Sequence, residues 1–311
     1  MRLLIITQKV DKTDQNLGFF HEWIKEFAKS YEEVSVICLY KDAYALPHNV
    51  RVYSLGKENG ASRIKYIFNL YRYLFHIKFD KVFVHMNQIY VPLVYLFGKP
   101  VYLWYVHKQV SLSLQVALHL VKKVFTVSKE SFRIESPKVT IVGHGIDTEL
   151  FQPKAEGRGI ISVGRISRTK AQLEILKTKQ NTKYIIVGGP ITPDDEVYEK
   201  EIREYAQDNN IDVEFTGPVE PFKVPALLHR AHIFVNTSQT GSVDKAVLEA
   251  MACGLNIVTT NEAFDFAIPL SDLGNKIKEN IDKPLNLENR EYVIKNHNLY
   301  DLIPKLAAQM K

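Results

Sequence analysis

The sequence has little cysteine and no long apolar run. Among its 311 residues only Cys38 and Cys253 are cysteines, and both lie within apolar stretches, where reduced and buried thiols are common. A disulfide-stapled fold is therefore excluded. No apolar stretch approaches the roughly 18 residues of a membrane-spanning helix, and residues 1–7 are too few for the apolar core of a signal peptide. We expect a cytoplasmic protein.

Signatures of several other classes are also missing. No glycine occurs from Gln8 to Leu17, directly after the first predicted strand, so the Gly-x-Gly-x-x-Gly turn of nicotinamide dehydrogenases is absent. Neither an aromatic-interleaved basic cluster nor a zinc-finger spacing occurs, which argues against a nucleic-acid partner. No segment is repetitive or compositionally biased enough to indicate a solenoid or disorder.

The residues that are present are typical of two globular domains. The length is about twice that of an ordinary domain, with 46% apolar and 11% aromatic residues. Residues 1–150 hold 20 Lys and Arg against 13 Asp and Glu, a balance of +7, whereas residues 151–311 hold 20 against 22, a balance of −2. The basic first half fits an anionic acceptor or an anionic membrane leaflet, and equally surface lysines that only keep the protein in solution.

Strands and helices alternate along both halves. In the first half we predict strands at 2–7, 34–39, 50–55, 81–85, 101–106 and 124–127, and helices at 18–30, 62–77 and 113–122. In the second half we predict strands at 159–163, 184–187, 213–216, 232–236 and 256–259, and helices near residue 172 and at 196–209, 224–230 and 243–253. Strands separated by helices favour a parallel sheet covered on both faces.

The fold class that we predict is α/β, with two doubly wound, Rossmann-like domains facing a cleft. The first domain spans 1–152 and the second 153–290, and helix 291–311 is expected to pack back toward the first. The expected hinge is 147–159, since Pro153, Gly157 and Gly159 interrupt the periodicity there. A ligand is expected where the carboxyl ends of both sheets line the cleft.

Two cations follow the first predicted strand of the second domain. That strand ends in Gly164, Arg165 comes next, and Lys170 lies five positions later. At the carboxyl edge of a sheet, a guanidinium and an ammonium can neutralise a departing diphosphate without a metal. A surface salt bridge is the alternative interpretation.

A second cluster surrounds the start of the predicted helix 243–253. Thr240, Gly241 and Ser242 supply small residues and a cap, so free backbone amides there can face an anion. Glu249 lies two turns further along an otherwise apolar helix, where a ribose diol would satisfy its carboxylate. A buried structural ion pair is the alternative for Glu249.

These residues lie in stretches that resemble the family 4 retaining glycosyltransferases, which have the GT-B fold. The similar stretches are the interdomain segment 141–153, the diphosphate-binding segment 162–170, the base-side turn 215–219, the end of the paired-glutamate motif at 248–254, and two first-domain strands, 80–85 and 101–107, that each end in histidine.

The resemblance implies a role for each matched position. Arg165 and Lys170 would hold the diphosphate, Glu249 would take the ribose hydroxyls, and the backbone near Gly217 and Val219 would cradle the base. His107 would face the donor sugar as a catalytic-site residue, with a purely structural role as its alternative. The remaining donor-binding positions are Gly164, Gly241, Ser242, Val243 and Asp244, and the acceptor-side positions are Gly18, Phe19 and His85.

Two positions depart from the family pattern. Gly241 stands where the family has its first glutamate, and Phe19, after Gly18, stands where it has the second glycine of its acceptor loop. Asp244 or Ser242 is expected to replace the contact of the glutamate with the sugar, although the helix dipole alone also favours Asp244 in a first helical turn. Both departures lie at the sugar and the acceptor, so they predict altered specificity more than lost nucleotide binding.

The implied activity is transfer of a sugar from a nucleoside-diphosphate sugar to a hydroxyl of a glycan or lipid-linked glycan. The configuration would be retained, and the leaving diphosphate would act as the base. No Asp-x-Asp triplet occurs, so no metal and no other cofactor is expected. The base, the sugar and the acceptor stay open. The alternatives are a catalytically impaired GT-B subunit that binds a nucleotide sugar as a partner protein, and an epimerase of the same fold.

The predicted helix 62–77 mixes cations with aromatic residues. Such a helix can lie on a membrane surface, which would make the protein peripheral on the cytoplasmic face of the membrane. The composition favours the other interpretation, an ordinary packed helix whose cations extend to solvent.

Overall fold

The computed structural model describes residues 1–154 and 157–311 of the chain. Ala155 and Glu156, which fall within the predicted hinge 147–159, lie outside the described residues. The chain divides into two compact units, one formed by Met1–Gly145 with Leu299–Lys311 and the other by Ile146–Asn298.

The first unit contains a parallel sheet built from strand–helix–strand crossovers. Its strands are β1 (Arg2–Val10), β2 (Glu33–Lys41), β3 (Val50–Ser54), β4 (Lys81–His85), β5 (Val101–Trp104), β6 (Lys123–Thr126) and β7 (Val139–Ile141). The α-helices between them are α1 (Phe20–Ser30), α2 (Arg63–His76), α3 (Val91–Tyr95) and α4 (Leu112–Leu120). Within the described residues the sheet has seven strands in the order β3-β2-β1-β4-β5-β6-β7, the strand order of a doubly wound fold.

The sequence of the central strands explains why helices cover both faces of this sheet. In β1, Leu3, Leu4, Ile5 and Ile6 are all buried. Successive side chains of a strand point to opposite faces, so a continuous apolar run requires a cover on each side. Helix α1 supplies part of one cover with Trp23, Ile24 and Phe27, which are also buried.

The second unit repeats this plan with a smaller sheet. Its strands are β8 (Ile160–Val163), β9 (Tyr184–Val187), β10 (Val213–Gly217), β11 (Ile233–Asn236) and β12 (Asn256–Thr259), and its α-helices are α5 (Gln172–Lys177), α6 (Pro193–Asp208), α7 (Val224–Leu228), α8 (Lys245–Ala252), α9 (Leu273–Asn280) and α10 (Leu287–His297). In the part of the chain that the structure describes, these five strands are parallel and lie in the order β10-β9-β8-β11-β12. Alternate strand residues belong to different apolar clusters. Ile161 and Phe234 lie in one cluster, and Ile160 and Ile233 lie in the other.

The last helix, α11 (Leu299–Gln309), belongs to the first unit. Both the Lys81 ammonium and the Tyr102 hydroxyl donate hydrogen bonds to the Met310 carbonyl, and these contacts fix the end of the chain against β4 and β5.

The boundaries between the units lie at 145/146 and 298/299, whereas the predicted domain boundaries were 152/153 and 290/291. The reason lies in contacts across the sequence within the second unit. The Ile146 amide donates to the His297 carbonyl, and the Arg290 guanidinium donates to the carbonyls of Thr148 and Phe151. Both α10 and the segment following residue 145 therefore pack with the second unit.

Two parallel, helix-covered sheets confirm the predicted α/β class. Several predicted bounds differ: the strand predicted at 101–106 ends at Trp104, and the helix predicted at 243–253 begins at Lys245. The short elements β7 and α3 were not predicted because segments of three and five residues are too short to show a periodicity. Among the described helices, none combines the length and apolar content needed to cross a bilayer.

Candidate functional site

Three glycines, Gly164, Gly188 and Gly217, bring the carboxyl ends of β8, β9 and β10 together. The Gly164 amide donates to the Val187 carbonyl at 2.9 Å, and the Gly188 amide donates to the Gly217 carbonyl at 3.0 Å. A Cβ on Gly188 would lie 2.2 Å from the Gly164 carbonyl oxygen, and Gly188 has φ +122°, so the position requires glycine. Gly188 was not among the predicted site residues, although a Gly-Gly pair directly after a buried strand signals it.

Buried side chains fix the loop that follows β8. The Gln172 side chain donates to the Arg165 carbonyl at 2.9 Å and accepts from the Ser167 amide at 3.3 Å. The Thr237 hydroxyl donates to the Lys170 carbonyl at 2.8 Å. Both side chains are almost fully buried, so the backbone that carries the two predicted cations is held from within the unit. Neither Gln172 nor Thr237 was singled out from the sequence, because a lone polar residue carries no pattern.

The two predicted cations are paired differently. Lys170 Nζ lies 2.6 Å from Asp244 Oδ1, and the lysine side chain is 23% exposed. Arg165 Nε lies 3.9 Å from Asp195 Oδ2, and the arginine side chain is 40% exposed. Burial raises the pKa of Asp195, but hydrogen bonds from Thr192 and from backbone amides, with the charge of Arg165, outweigh it and lower the pKa overall. Arg165 is thus the more open of the two cations.

Asp244, which holds Lys170, occupies the N-cap position of α8 that was predicted for Thr240 to Ser242. Helix α8 begins after Asp244, which is its N-cap residue but makes no capping hydrogen bond with its side chain. The cap expected at Thr240 to Ser242 is therefore wrong. The Asp244 carboxylate instead accepts from Lys170 and from the side-chain amides of Asn236, at 3.1 Å, and Asn261, at 3.3 Å. Its orientation is set by the ends of β11 and β12.

Glu249 is buried on α8 and already has a cationic partner. Its carboxylate accepts a hydrogen bond from the Lys245 ammonium one turn earlier. This is the ion pair that the sequence analysis gave as the alternative to a ribose contact. A glutamate with its side chain only 12% exposed is costly without such a partner, so a ribose diol would have to share or displace Lys245. The ribose role of Glu249 stays a prediction.

The remaining donor-side positions lie at the same end of the second sheet. Gly217 has φ +70°, and a Cβ there would meet no atom within 4 Å, so its outer face is open. Val219 packs against the apolar cluster of β11 and α8. Gly241 has φ +62°, a conformation that a glutamate adopts only with strain, and the Ser242 carbonyl accepts from Asn261 at 2.9 Å. Val243 is partly buried beside the same cluster.

The acceptor-side positions form an aromatic cluster in the first unit. His85 ends β4, is 2% exposed, and stacks on Phe20 with ring centroids 3.9 Å apart. Its Nδ1 lies 3.2 Å from the Thr7 hydroxyl. Phe19, next to buried Gly18, meets the His85 ring edge-on with centroids 6.1 Å apart. Burial, with a smaller contribution from His144, lowers the pKa of His85 to about 3, so this ring is neutral near pH 7.

His107 is not part of the buried aromatic cluster around His85. Strand β5 ends at Trp104, so His107 belongs to the following loop and is exposed. Its Nδ1 accepts from the Gln109 amide at 3.1 Å, and its own amide donates to the Ser131 carbonyl at 3.0 Å. The expectation that His107 terminates a strand is therefore wrong, whereas its catalytic role stays a prediction. Across residues 1–154 and 157–311, no group of three or more His, Cys, Asp or Glu side chains could hold a metal ion.

Comparisons with known proteins agree with the sequence resemblance. Residues 147–267 match the family model described as glycosyl transferases group 1. A curated relative from Arabidopsis thaliana, one of the subunits of phosphatidylinositol N-acetylglucosaminyltransferase, is 31% identical over 138 residues, which cover 40% of this chain and 29% of the relative. The match thus spans less than a third of that protein.

Solved structures share the fold over nearly the whole chain. HepE of Anabaena in complex with UDP and glucose has a TM-score of 0.77 and 15% identity, with 100% of this chain and 99% of that chain covered. WaaG, a glycosyltransferase involved in lipopolysaccharide biosynthesis, has a TM-score of 0.68 and 13% identity, with 99% of each chain covered. At such low identity these likenesses show the fold alone, and that fold is GT-B.

Proposed function

We propose that this chain is a family 4 glycosyltransferase, as its match to the group 1 glycosyl transferase model supports, and that it transfers a sugar from a nucleoside-diphosphate sugar to an acceptor hydroxyl. In this proposal the anomeric configuration is retained, no metal takes part, and the acceptor is a glycan or a lipid-linked glycan. The observation that carries it is the pair Arg165 and Lys170 on the loop after β8, with Lys170 Nζ held 2.6 Å from Asp244.

The loop suits a departing diphosphate. When the bond between the anomeric carbon and the phosphate oxygen breaks, negative charge grows on the diphosphate, and a fixed ammonium stabilises that charge more than it stabilises the bound donor. Buried Gln172 and Thr237 fix the backbone of the loop, so little reorganisation is needed. The acceptor oxygen then bonds to the anomeric carbon, and its proton passes to the diphosphate.

UDP is the nucleotide to test first. The HepE structures that share this fold contain UDP, UDP and glucose, or UDP-glucose. In our proposal the base lies against the turn at Gly217 and Val219, where the backbone has an open face. His107 and the acceptor-side group of Gly18, Phe19 and His85 are assigned to sugar positioning and acceptor binding, as the family resemblance implies.

Titration calorimetry with UDP tests the proposal directly. Lys170→Ala removes a charge-assisted hydrogen bond to the diphosphate, so the affinity for UDP should fall by about tenfold to a hundredfold. The matched control is Lys177→Ala on α5, whose ammonium is exposed and paired with Glu174; it should leave the affinity unchanged. Equal affinity of the wild type and the Lys170 variant would contradict the assignment.

A catalytically impaired subunit is the second candidate, and Gly241 is the observation that favours it. Its φ of +62° shows that the loop has adapted to glycine where the family has a glutamate. Slow release of UDP from UDP-glucose without any acceptor separates the two functions. With a transferase, UDP should be released from UDP-glucose faster than in buffer alone. A binding subunit should bind the donor and leave it intact.

A further inference from the structure

Helix α2 of the first unit has an apolar face that does not enter the core. Leu70 and Leu74 are its buried residues. Ile64, Phe68 and Phe75 recur at intervals of four and seven residues, which places them together on another side of the helix. Their exposed fractions are 80%, 67% and 76%. The packed-helix interpretation therefore accounts for the buried side of α2 but not for the exposed apolar side.

The apolar face continues onto the end of α3. The Phe75 ring meets the Phe97 ring edge-on with centroids 5.2 Å apart, and Leu96, next to Phe97, is 74% exposed. Ile67 on α2 is also exposed. We call this set the α2 surface: Ile64, Ile67, Phe68, Phe75 and Leu96, with the exposed cations Arg63, Lys65 and Arg72 that flank the apolar residues.

The charged residues of the surrounding sequence are almost all cations. Residues 59–129 hold ten Lys and Arg and a single acid, Asp80, a balance of +9. The Asp80 carboxylate accepts from the amide and the guanidinium of Arg2, at 2.8 and 3.3 Å, so its charge is locally offset. A second copy of the chain seated on this surface would bring like charges together.

A polar cavity of about 490 Å³ opens beside the same helix. Lys65 and Arg72 line it together with Lys41, and Asn69 and Ser54 add polar groups. Its acid, Glu58, accepts from the Ser54 hydroxyl at 2.7 Å and from the Lys41 amide at 3.4 Å. The cations in its lining suit a phosphate headgroup, whose charge they would neutralise.

We propose that the α2 surface docks on an anionic lipid bilayer. Exposed aromatic and aliphatic side chains would enter the boundary between headgroups and acyl chains, while Arg63, Lys65 and Arg72 meet the lipid phosphates. Single exposed apolar residues need no explanation, but a contiguous set of them flanked by cations does. This proposal does not depend on the transferase function, since no donor or acceptor takes part in it.

Vesicle flotation tests the docking. The full chain should float with vesicles of phosphatidylcholine containing about a quarter phosphatidylglycerol, and not with phosphatidylcholine alone. Added salt should weaken the binding. Phe68→Ser with Phe75→Ser removes the inserted groups and should weaken binding by on the order of tenfold or more. Lys65→Glu with Arg72→Glu reverses two charges and should weaken it at least as much.

The second unit supplies matched controls. Phe222→Ser and Lys295→Glu change an exposed aromatic and an exposed cation and should leave flotation unchanged, and circular dichroism should show that every variant folds. Three results would overturn the proposal: no flotation with anionic vesicles, equal flotation of all variants, or a concentration-dependent dimer that the phenylalanine variant abolishes. Retention of UDP binding in variants that fail to float would show that docking and donor binding are separate.

Discussion

The two units place different chemistry at the same structural position. In both, the side chains of interest follow the carboxyl ends of central parallel strands. In the second unit this edge carries the Lys170–Asp244 pair and its amide neighbours, and the backbone there packs closely at Gly164, Gly188 and Gly217. In the first unit it carries Phe19, Phe20 and the buried ring of His85. The first of these groups of side chains is charged, and the second is aromatic.

The difference shows how little the topology constrains the chemistry. A doubly wound sheet offers a ligand site at the carboxyl ends of its strands, but the side chains there decide what binds. A charged, rigid edge suits a diphosphate. An aromatic edge suits a neutral polyhydroxylated group, whose ring carbons can pack on aromatic faces.

The largest effect is expected from disrupting the close backbone approach of Gly188 to Gly164 in the second unit. Gly188→Ala places a methyl group 2.2 Å from the Gly164 carbonyl oxygen at φ +122°, so it should cost about 3 kcal/mol of stability and abolish UDP binding. Gly98→Ala in the first unit, at φ +67° with no atom within 4 Å, isolates backbone strain and should cost about 1 kcal/mol. Urea unfolding measures both. Equal costs would mean that the close approach at Gly188 is unimportant.

A smaller effect sharpens the role assigned to Asp244. If its carboxylate positions Lys170, Asp244→Ala should lower the rate of UDP release from UDP-glucose by roughly tenfold to a hundredfold, because both Lys170 and two buried amides lose their partner. The affinity for UDP should stay equal or rise, since a negative charge leaves the site. If Asp244 also replaces the glutamate missing at Gly241, the preference among donor sugars should change. An unaltered rate and preference would remove both roles.

The smallest effect tests the neutral, buried ring of His85 in the first unit. Burial lowers the pKa of His85 from 6.5 to about 3, so between these values the unfolded chain binds a proton that the folded chain does not. Stability should therefore be complete above pH 6.5 and fall as the pH drops below it, by about 1.4 kcal/mol per pH unit from this residue. Urea unfolding at several pH values measures this slope. His85→Gln should reduce the slope by this contribution, whereas His119→Gln, at an exposed histidine, should not change it; the slope from His297, whose pKa burial lowers to about 4, should remain.

The sequence predicted most of the scaffold and part of the candidate site. Buried strands such as β4, β9 and β12 have the predicted bounds because their apolar runs end at polar or glycine residues. The order Gly164, Arg165, Lys170 identified the loop after β8. The cap at Thr240 to Ser242 and the strand end at His107 were wrong, because local preferences do not reveal where a long-range contact ends an element.

The importance of the glycine pair at 188 and 189 could have been predicted from the sequence, since the pair follows a buried strand directly. The partner of Lys170 was not. Asp244 lies 74 positions away, and nothing in the local pattern of either residue indicates that they meet.

The sequence by itself determined the alternation of strands and helices, the cations after β8 and the excess of positive charge in the first half, because each depends on composition and spacing along the chain. Only the tertiary structure decided that Asp244 holds Lys170, that Lys245 pairs with Glu249, and that one face of α2 is left exposed. Those outcomes depend on which segments the folded sheets bring together, and the packing of distant residues settles them.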